Sequence, residues 1–315
     1  MYKIGIDLGG TNIVAGVVSE DFKIVATAKC KTNLPRPADE IMADMVKVTH
    51  EAVKAAGLTM DDIDAVGVGS PGACNAETGV VEYANNLGFV NVPMRATLEK
   101  ALGKPVSVEN DANAAAYGEF VAGAGRGKKN LVCITLGTGV GGGVIIDGKI
   151  FAGHNYFGAE LGHAVIMVGG EPCSCGRKGC WEAYASATAL IRQTRQAMEA
   201  NKDSKMWQIA GSLENVNGRT AFDAMREGDA AGKQVVDNYI YYIGVGLGNM
   251  INIFQPEVVC IGGGICHEGE TLMAPLRKIV AGEQYQFESD KKAQLCTAQL
   301  GNDAGIIGAA YLKQN

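Results

Sequence analysis

Three cysteines and a histidine lie close together in this sequence: His163, Cys173, Cys175 and Cys180. Three thiolates and an imidazole suit tetrahedral Zn²⁺, and four protein ligands leave no open position on the ion. Gly170, Gly176 and Gly179 supply the sharp turns that such a knot needs. A disulfide between two of the cysteines is the competing reading. The pattern predicts a structural zinc site, not a Lewis acid. Glu160 lies three residues before His163 and Glu182 two after Cys180, so a fixed knot fixes both carboxylates. Vicinal hydroxyls donate hydrogen bonds to carboxylates; two surface glutamates are the plainer alternative.

A second kind of chemistry sits in glycine turns that follow strand-like sequence. Asp7-Leu8-Gly9-Gly10-Thr11-Asn12 combines glycines, whose backbone N–H groups can approach phosphate oxygens, with two side-chain donors, Thr11 and Asn12. Asp7 is placed to hold Mg²⁺ through water. A β-hairpin turn explains Gly9-Gly10 equally well. Thr138 and Gly139 belong to a second turn, Leu136 to Gly143, so rich in glycine that a plain strand would be weakened unless something must approach its backbone. Gly262, Gly263 and Gly264 end a third buried strand and suit the flat face of an adenine or ribose. Neither of the first two turns has the lysine of a P-loop. Three such turns favour a split nucleotide site.

Asp111 stands between a strand end and a helix start in Glu109-Asn110-Asp111. Phosphoryl transfer to a hydroxyl needs a proton acceptor, and a carboxylate in reach serves. Capping of the helix by Asn and Asp accounts for the same residues.

The bulk numbers bound these readings. The chain has 315 residues, 47% of them hydrophobic, enough for two domain cores. A net charge of −6 and the absence of a basic stripe argue against nucleic-acid binding. No apolar signal core and no membrane-length apolar run are present, which predicts a cytoplasmic protein without a membrane partner. Nine cysteines, an odd number, with no export signal argue against a disulfide framework.

The elements that must position these residues follow from periodicity. Tyr2–Leu8, Ile13–Val18 and Lys23–Ala28 read as an antiparallel meander. Ala38–Ala56 has a helical period with Ile41, Met45, Val48 and Ala52 on one face. Ile63–Val68 and Val106–Val108 are strands. Leu131–Leu136, Val140–Ile146 and Lys149–Phe151 repeat the strand, glycine turn and strand pattern of the N-terminus, as an internal duplication would. A stripe from Val236 to Phe254 marks a long buried helix, and Gly244, Gly246 and Gly248 within it read as close-packing positions. Val258–Ile261 and Leu295–Thr297 are strands, and Ala304–Leu312 a closing helix. Strands mixed with helices predict an α/β fold in two lobes. The expected division is residues 1–120, joined by 303–315, and residues 121–302.

Five motifs together resemble the ROK family of bacterial sugar kinases and repressors, nearly end to end. They are Asp7-x-Gly-Gly-Thr11, Glu109-Asn-Asp-Ala-Asn113, Leu136-Gly-Thr-Gly-Val-Gly-Gly142, Glu160-x-Gly-His163, and the cysteine cluster from Cys173 to Cys180 followed by Glu182. The resemblance implies a two-lobed hexokinase/actin-like, ribonuclease H-like ATPase fold with an interdomain cleft. It implies ATP and Mg²⁺ as donor, a hexose acceptor, structural Zn²⁺, and a homo-oligomer, dimer or tetramer. By the same resemblance Asp111 is the general base, and Gly72, Asn85, Asn110, Glu160, His163 and Glu182 are sugar ligands. Glucose 6-phosphorylation is the expected reaction, with N-acetylmannosamine or another hexose as the alternative acceptor. Family repressors carry a helix-turn-helix segment before the first phosphate turn. Asp7 stands too near Met1 to leave room for one, which favours the kinase.

Overall fold

The computed structural model describes residues 1–285 and 290–313. In chain order the elements are β1 (Tyr2–Leu8), β2 (Asn12–Val18), β3 (Ile24–Lys31), α1 (Ala38–Ala55), β4 (Ile63–Ser70), β5 (Ala73–Asn75), β6 (Val80–Ala84), β7 (Phe89–Val92), α2 (Met94–Leu102), β8 (Val106–Asn110) and α3 (Asp111–Ala122). There follow β9 (Leu131–Leu136), β10 (Val140–Ile146), β11 (Lys149–Ile150), α4 (Glu182–Ala185), α5 (Ala187–Ala200), α6 (Met206–Ala210), α7 (Thr220–Arg226), α8 (Ala230–Phe254), β12 (Val258–Gly262), α9 (Glu270–Glu283), β13 (Gln294–Thr297) and α10 (Ala304–Ala310). The chain forms two compact units: Met1–Cys133 with Gly142–Ala159 and Ala298–Asn315, and Ile134–Gly141 with Glu160–Thr297.

One five-stranded sheet has the order β3-β2-β1-β4-β8 and another the order β11-β10-β9-β12-β13. The layouts match. In each, the first three strands run outward to one edge, and the fourth and fifth lie on the other side of the first. The last two strands are parallel in both, β4 with β8 and β12 with β13. The duplicated pattern legible in the sequence is therefore one topology used twice.

In the first unit β1 pairs antiparallel with β2 and parallel with β4. Its Ile4, Ile6 and Leu8 have no exposed surface and join Ile41, Met45, Val48 and Ala52 of α1 in one core. Side chains alternate faces along a strand, so Gly5 faces the other way. A Cβ on Gly5 would lie 1.8 Å from the carbonyl oxygen of Ile306, and one on Gly67 of β4 1.7 Å from that of Ala309. Helix α10 thus lies directly on the sheet backbone, which glycine alone permits. It also packs closely on α3, where a Cβ on Gly308 would lie 1.7 Å from the carbonyl oxygen of Ala114. A small antiparallel sheet, β5-β6-β7, was not foreseen from sequence.

In the second unit the core gathers around Trp181, Phe222 and Tyr239, all without exposed surface. The three glycines of α8 are packing positions. Cβ atoms there would lie 2.5 Å from Ile279 at Gly244, 1.9 Å from the Trp181 ring at Gly246 and 2.7 Å from Glu283 at Gly248. Trp181 also donates its indole N–H to the Tyr242 carbonyl at 2.9 Å.

Candidate active site

In the first unit Asp7 is the last residue but one of β1, and Gly10 and Thr11 of the turn to β2 are exposed, as is Asn12 at the head of β2. The turn is pinned from below. Gly9 N–H donates to the Asn12 carbonyl at 2.9 Å, and the buried Thr32 hydroxyl donates to the Gly9 carbonyl at 2.7 Å. The side chains of Thr11 and Asn12 make no hydrogen bond among the described residues, so both are available to a ligand.

Asp111 begins α3, and Asn110 is its N-cap. Asn110 Oδ1 accepts the N–H groups of Ala112 at 2.9 Å and Asn113 at 3.2 Å. The capping role proposed for both residues thus falls on Asn110. Asp111 Oδ1 accepts only the Ala112 N–H, at 2.9 Å. Burial pushes the Asp111 carboxyl above the ordinary aspartate range, against the pull of the Ala112 N–H. Asp7 is pushed up as well, first by burial and second by the charge of Asp111. Two half-buried carboxylates, one felt as a charge by the other, are a pair that a divalent cation would relieve.

Gly72 and Asn85 meet the same elements. Asn110 Nδ2 donates to the Gly72 carbonyl at 3.0 Å. Gly72 has φ +93°, and a Cβ there would lie 2.1 Å from the Tyr83 carbonyl oxygen. Only glycine lets β6 approach, and β6 delivers the exposed Asn85, whose Oδ1 accepts the Tyr83 hydroxyl at 3.1 Å. Gly72, Asn110 and Asp111 therefore converge, with Asn85 one residue beyond β6.

In the second unit the ligand atoms of His163, Cys173, Cys175 and Cys180 all lie within 4.8 Å of one another. Cys175 and Cys180 sulfurs are 3.7 Å apart, and His163 Nδ1 is 3.5 Å from Cys173 Sγ. Tetrahedral zinc with ordinary bond lengths needs separations of about 3.8 Å and about 3.6 Å. The residues fit the ion. Gly176 and Gly179, at φ +83° and +80°, make the knuckle turns. Burial pushes the Cys180 thiol up to about 12, and the Arg177 N–H holds Cys175 down. A bound cation would remove the obstacle to forming the Cys180 thiolate.

The knot and the second glycine turn are joined through Glu182. Its Oε2 accepts the Val140 N–H at 3.0 Å, and its Oε1 accepts the Ser174 hydroxyl at 3.1 Å. A Cβ on Gly139 would lie 2.3 Å from Glu182 Oε2. Glu160 is exposed, and its carbonyl accepts the His163 N–H at 3.0 Å.

Gly137, Thr138 and Gly264 line one cavity of about 620 Å³ in this unit. Gly263 serves packing instead. A Cβ there would lie 2.0 Å from the Leu136 carbonyl oxygen, so its lack of a side chain lets the end of β12 close on β9. Sequence reasoning missed the opposite wall of the cavity, Asn217-Gly218-Arg219 with His267 and Glu268. The only available signal was an Asn-Gly pair before α7, which reads as an ordinary turn.

The paired sheets, the carboxylate at the head of α3 and the cysteine knot define the class. The model of the ROK family matches residues 3–315, and the chain belongs to that family. It is 39% identical to a glucokinase of Thermotoga maritima over 98% of this chain and 96% of that protein. Among solved structures it resembles a ROK family glucokinase from Streptomyces griseus in complex with glucose and AMPPNP, at 37% identity and TM-score 0.79, covering 98% of both chains. A xylose repressor of Caldicellulosiruptor bescii is 31% identical over 88% of this chain and 69% of that protein. Among the described residues no helix is long and apolar enough to cross a membrane.

Proposed function

We propose that this chain is an ATP-dependent glucokinase, transferring the γ-phosphoryl group to the 6-hydroxyl of glucose to give glucose 6-phosphate and ADP. The observation that carries the reading is similarity along nearly the whole chain to glucokinases, one of them solved with glucose and an ATP analogue. Asp111 is the residue that takes the proton of the attacking hydroxyl. Its raised proton affinity brings it nearer the operating pH, which suits a general base.

The backbone of Gly9 and Gly10 with Thr11 and Asn12, and that of Thr138 and Gly139, supplies donors to phosphate oxygens. Of the Gly262-Gly263-Gly264 run assigned to the adenosine end, Gly264 lines the cavity of the second unit and Gly263 serves by packing on the Leu136 carbonyl. Asp7 would hold Mg²⁺ through water, and that ion would supply charge neutralisation at the phosphates. Asn85, Asn110, Glu160, His163 and Glu182 bind sugar hydroxyls, with Gly72 giving its backbone. His163 with Cys173, Cys175 and Cys180 would hold Zn²⁺, which would supply rigidity and no open coordination site.

The same reading makes this a cytoplasmic enzyme of hexose metabolism that works as a homo-oligomer, dimer or tetramer. The test is ADP release with Mg-ATP against glucose, mannose, fructose, allose, N-acetylglucosamine and N-acetylmannosamine. Glucose giving the highest kcat/KM supports the proposal. A preference for N-acetylmannosamine would move the chain to another acceptor class, and no turnover with any sugar would point to a sugar sensor.

A further inference from the structure

Glu109 is the residue just before Asn110 and Asp111, and it is only 5% exposed. Its Oε1 accepts the Asn110 N–H at 2.8 Å and the Asn113 side-chain amide at 3.0 Å. Its Oε2 makes no hydrogen bond among the described residues, and no cation pairs with it. On a side chain so largely buried, an oxygen that has no donor of its own is open to one from a ligand.

Glu109 lines a cavity of about 300 Å³ within the first unit, together with Ser107, Tyr117, Lys149, Ile150 and Lys313 among others. Asp7, Asp111 and the Gly9–Asn12 turn do not line it. Ser107 precedes Glu109 by two residues on β8, so both side chains project to the same side. Tyr117, 6% exposed, and Ile150 add apolar wall. The two exposed lining residues with charge are both lysines, Lys149 on β11 and Lys313 after α10. A buried acceptor, an apolar wall and cationic outer residues call for a ligand with a hydroxyl at one end and an anion at the other. An ammonium ligand is disfavoured by the lysines, and an apolar one by Glu109.

We propose that this cavity is an effector site for a small hydroxylated organic anion, whose hydroxyl donates to Glu109 Oε2 and whose anionic group meets Lys149 and Lys313. Occupancy bears on turnover, because Glu109 Oε1 holds the N–H of the residue next to Asp111.

The test is calorimetric titration of the full chain with glycerol 3-phosphate, 3-phosphoglycerate and 6-phosphogluconate. Glucose and AMPPNP are held at saturation so that the proposed reaction site is filled. The titration is repeated without them, so a failure of the kinase reading leaves the binding result interpretable. The expected result is binding of at least one anion with a Kd below about 1 mM, an affinity within reach of a few polar contacts. The double variant Lys149→Ala/Lys313→Ala weakens it at least tenfold, and Ala152→Trp, which fills the cavity, removes it. Both variants keep the basal turnover. If Ala152→Trp does not fold, the lysine variant decides. Absence of binding to the wild type, binding unchanged in the lysine variant, or equal binding of inorganic phosphate overturns the proposal.

Discussion

Glu182 touches the second glycine turn and the cysteine knot with one carboxylate, accepting the Val140 N–H at 3.0 Å and the Ser174 hydroxyl at 3.1 Å. Ser174 lies between two of the cysteine ligands, so the geometry of the knot reaches the turn through a single side chain. Glu182 also begins α4, directly after Trp181, whose burial in the core fixes that end of the link.

Removal of the metal is therefore expected to disable a protein whose proposed chemistry needs no open zinc position. A strong chelator should lower kcat/KM for glucose at least tenfold, the size seen when supports of a metal site are lost. Added Zn²⁺ should restore it. Full activity in protein shown by elemental analysis to be metal-free would remove the link between knot and turn.

Asn110 separates a structural duty from a chemical one. Asn110→Ala takes away the acceptor for two N–H groups at the head of α3 and should cost about 1 kcal/mol of stability. Asn110→Asp keeps an acceptor but loses the donor to the Gly72 carbonyl. It should recover most of the stability and not the sugar affinity. Urea denaturation and glucose titration of both variants check this; equal stability of Asn110→Ala and wild type would contradict the cap.

The raised carboxyl of Asp111 has a consequence for pH. Its folded proton affinity exceeds the unfolded one, so its contribution to stability is present below the unfolded pKa and is lost as pH rises through the folded value. At pH 7.5 the folded protein thus carries the cost of a partly buried anion, to which the charge on Asp7 adds. Asp111→Asn should melt at a higher temperature than wild type at pH 7.5, with the difference shrinking toward pH 4. The acid limb of kcat/KM in the wild type should lie above the ordinary aspartate value of about 3.9. A variant melting below wild type at pH 7.5 would contradict the cost assigned to this group.

How much of this was legible in the sequence depends on how local the signal is. Strands β1, β2, β4 and β9 and helices α1 and α8 declare themselves through period and burial, and their bounds follow closely those read from the sequence, α8 apart, whose N-terminal turns precede the apolar stripe. The knot was legible because four soft ligands in a short stretch have few other uses. The β5-β6-β7 sheet was not, since its strands are short and Tyr83 and Val90 are exposed. The packing role of Gly263 was equally hidden. It answers to the Leu136 carbonyl, a residue distant in sequence, and nothing in a Gly-Gly-Gly run says which glycine packs and which lines a cavity. Glu109 was read only as part of a motif, because an open buried oxygen is a property of the folded surroundings.

Every role given to the other site residues serves one event, the passage of the glucose hydroxyl proton to Asp111. The kcat of Asp111→Asn with Mg-ATP and glucose, measured beside the Kd for glucose on zinc-replete protein, decides whether that event occurs there. A fall in kcat of about 10²–10⁴-fold, the usual contribution of such a base, is expected with glucose still bound. A kcat within a few-fold of wild type, in a variant that binds glucose normally, would take the proton-acceptor role away from Asp111.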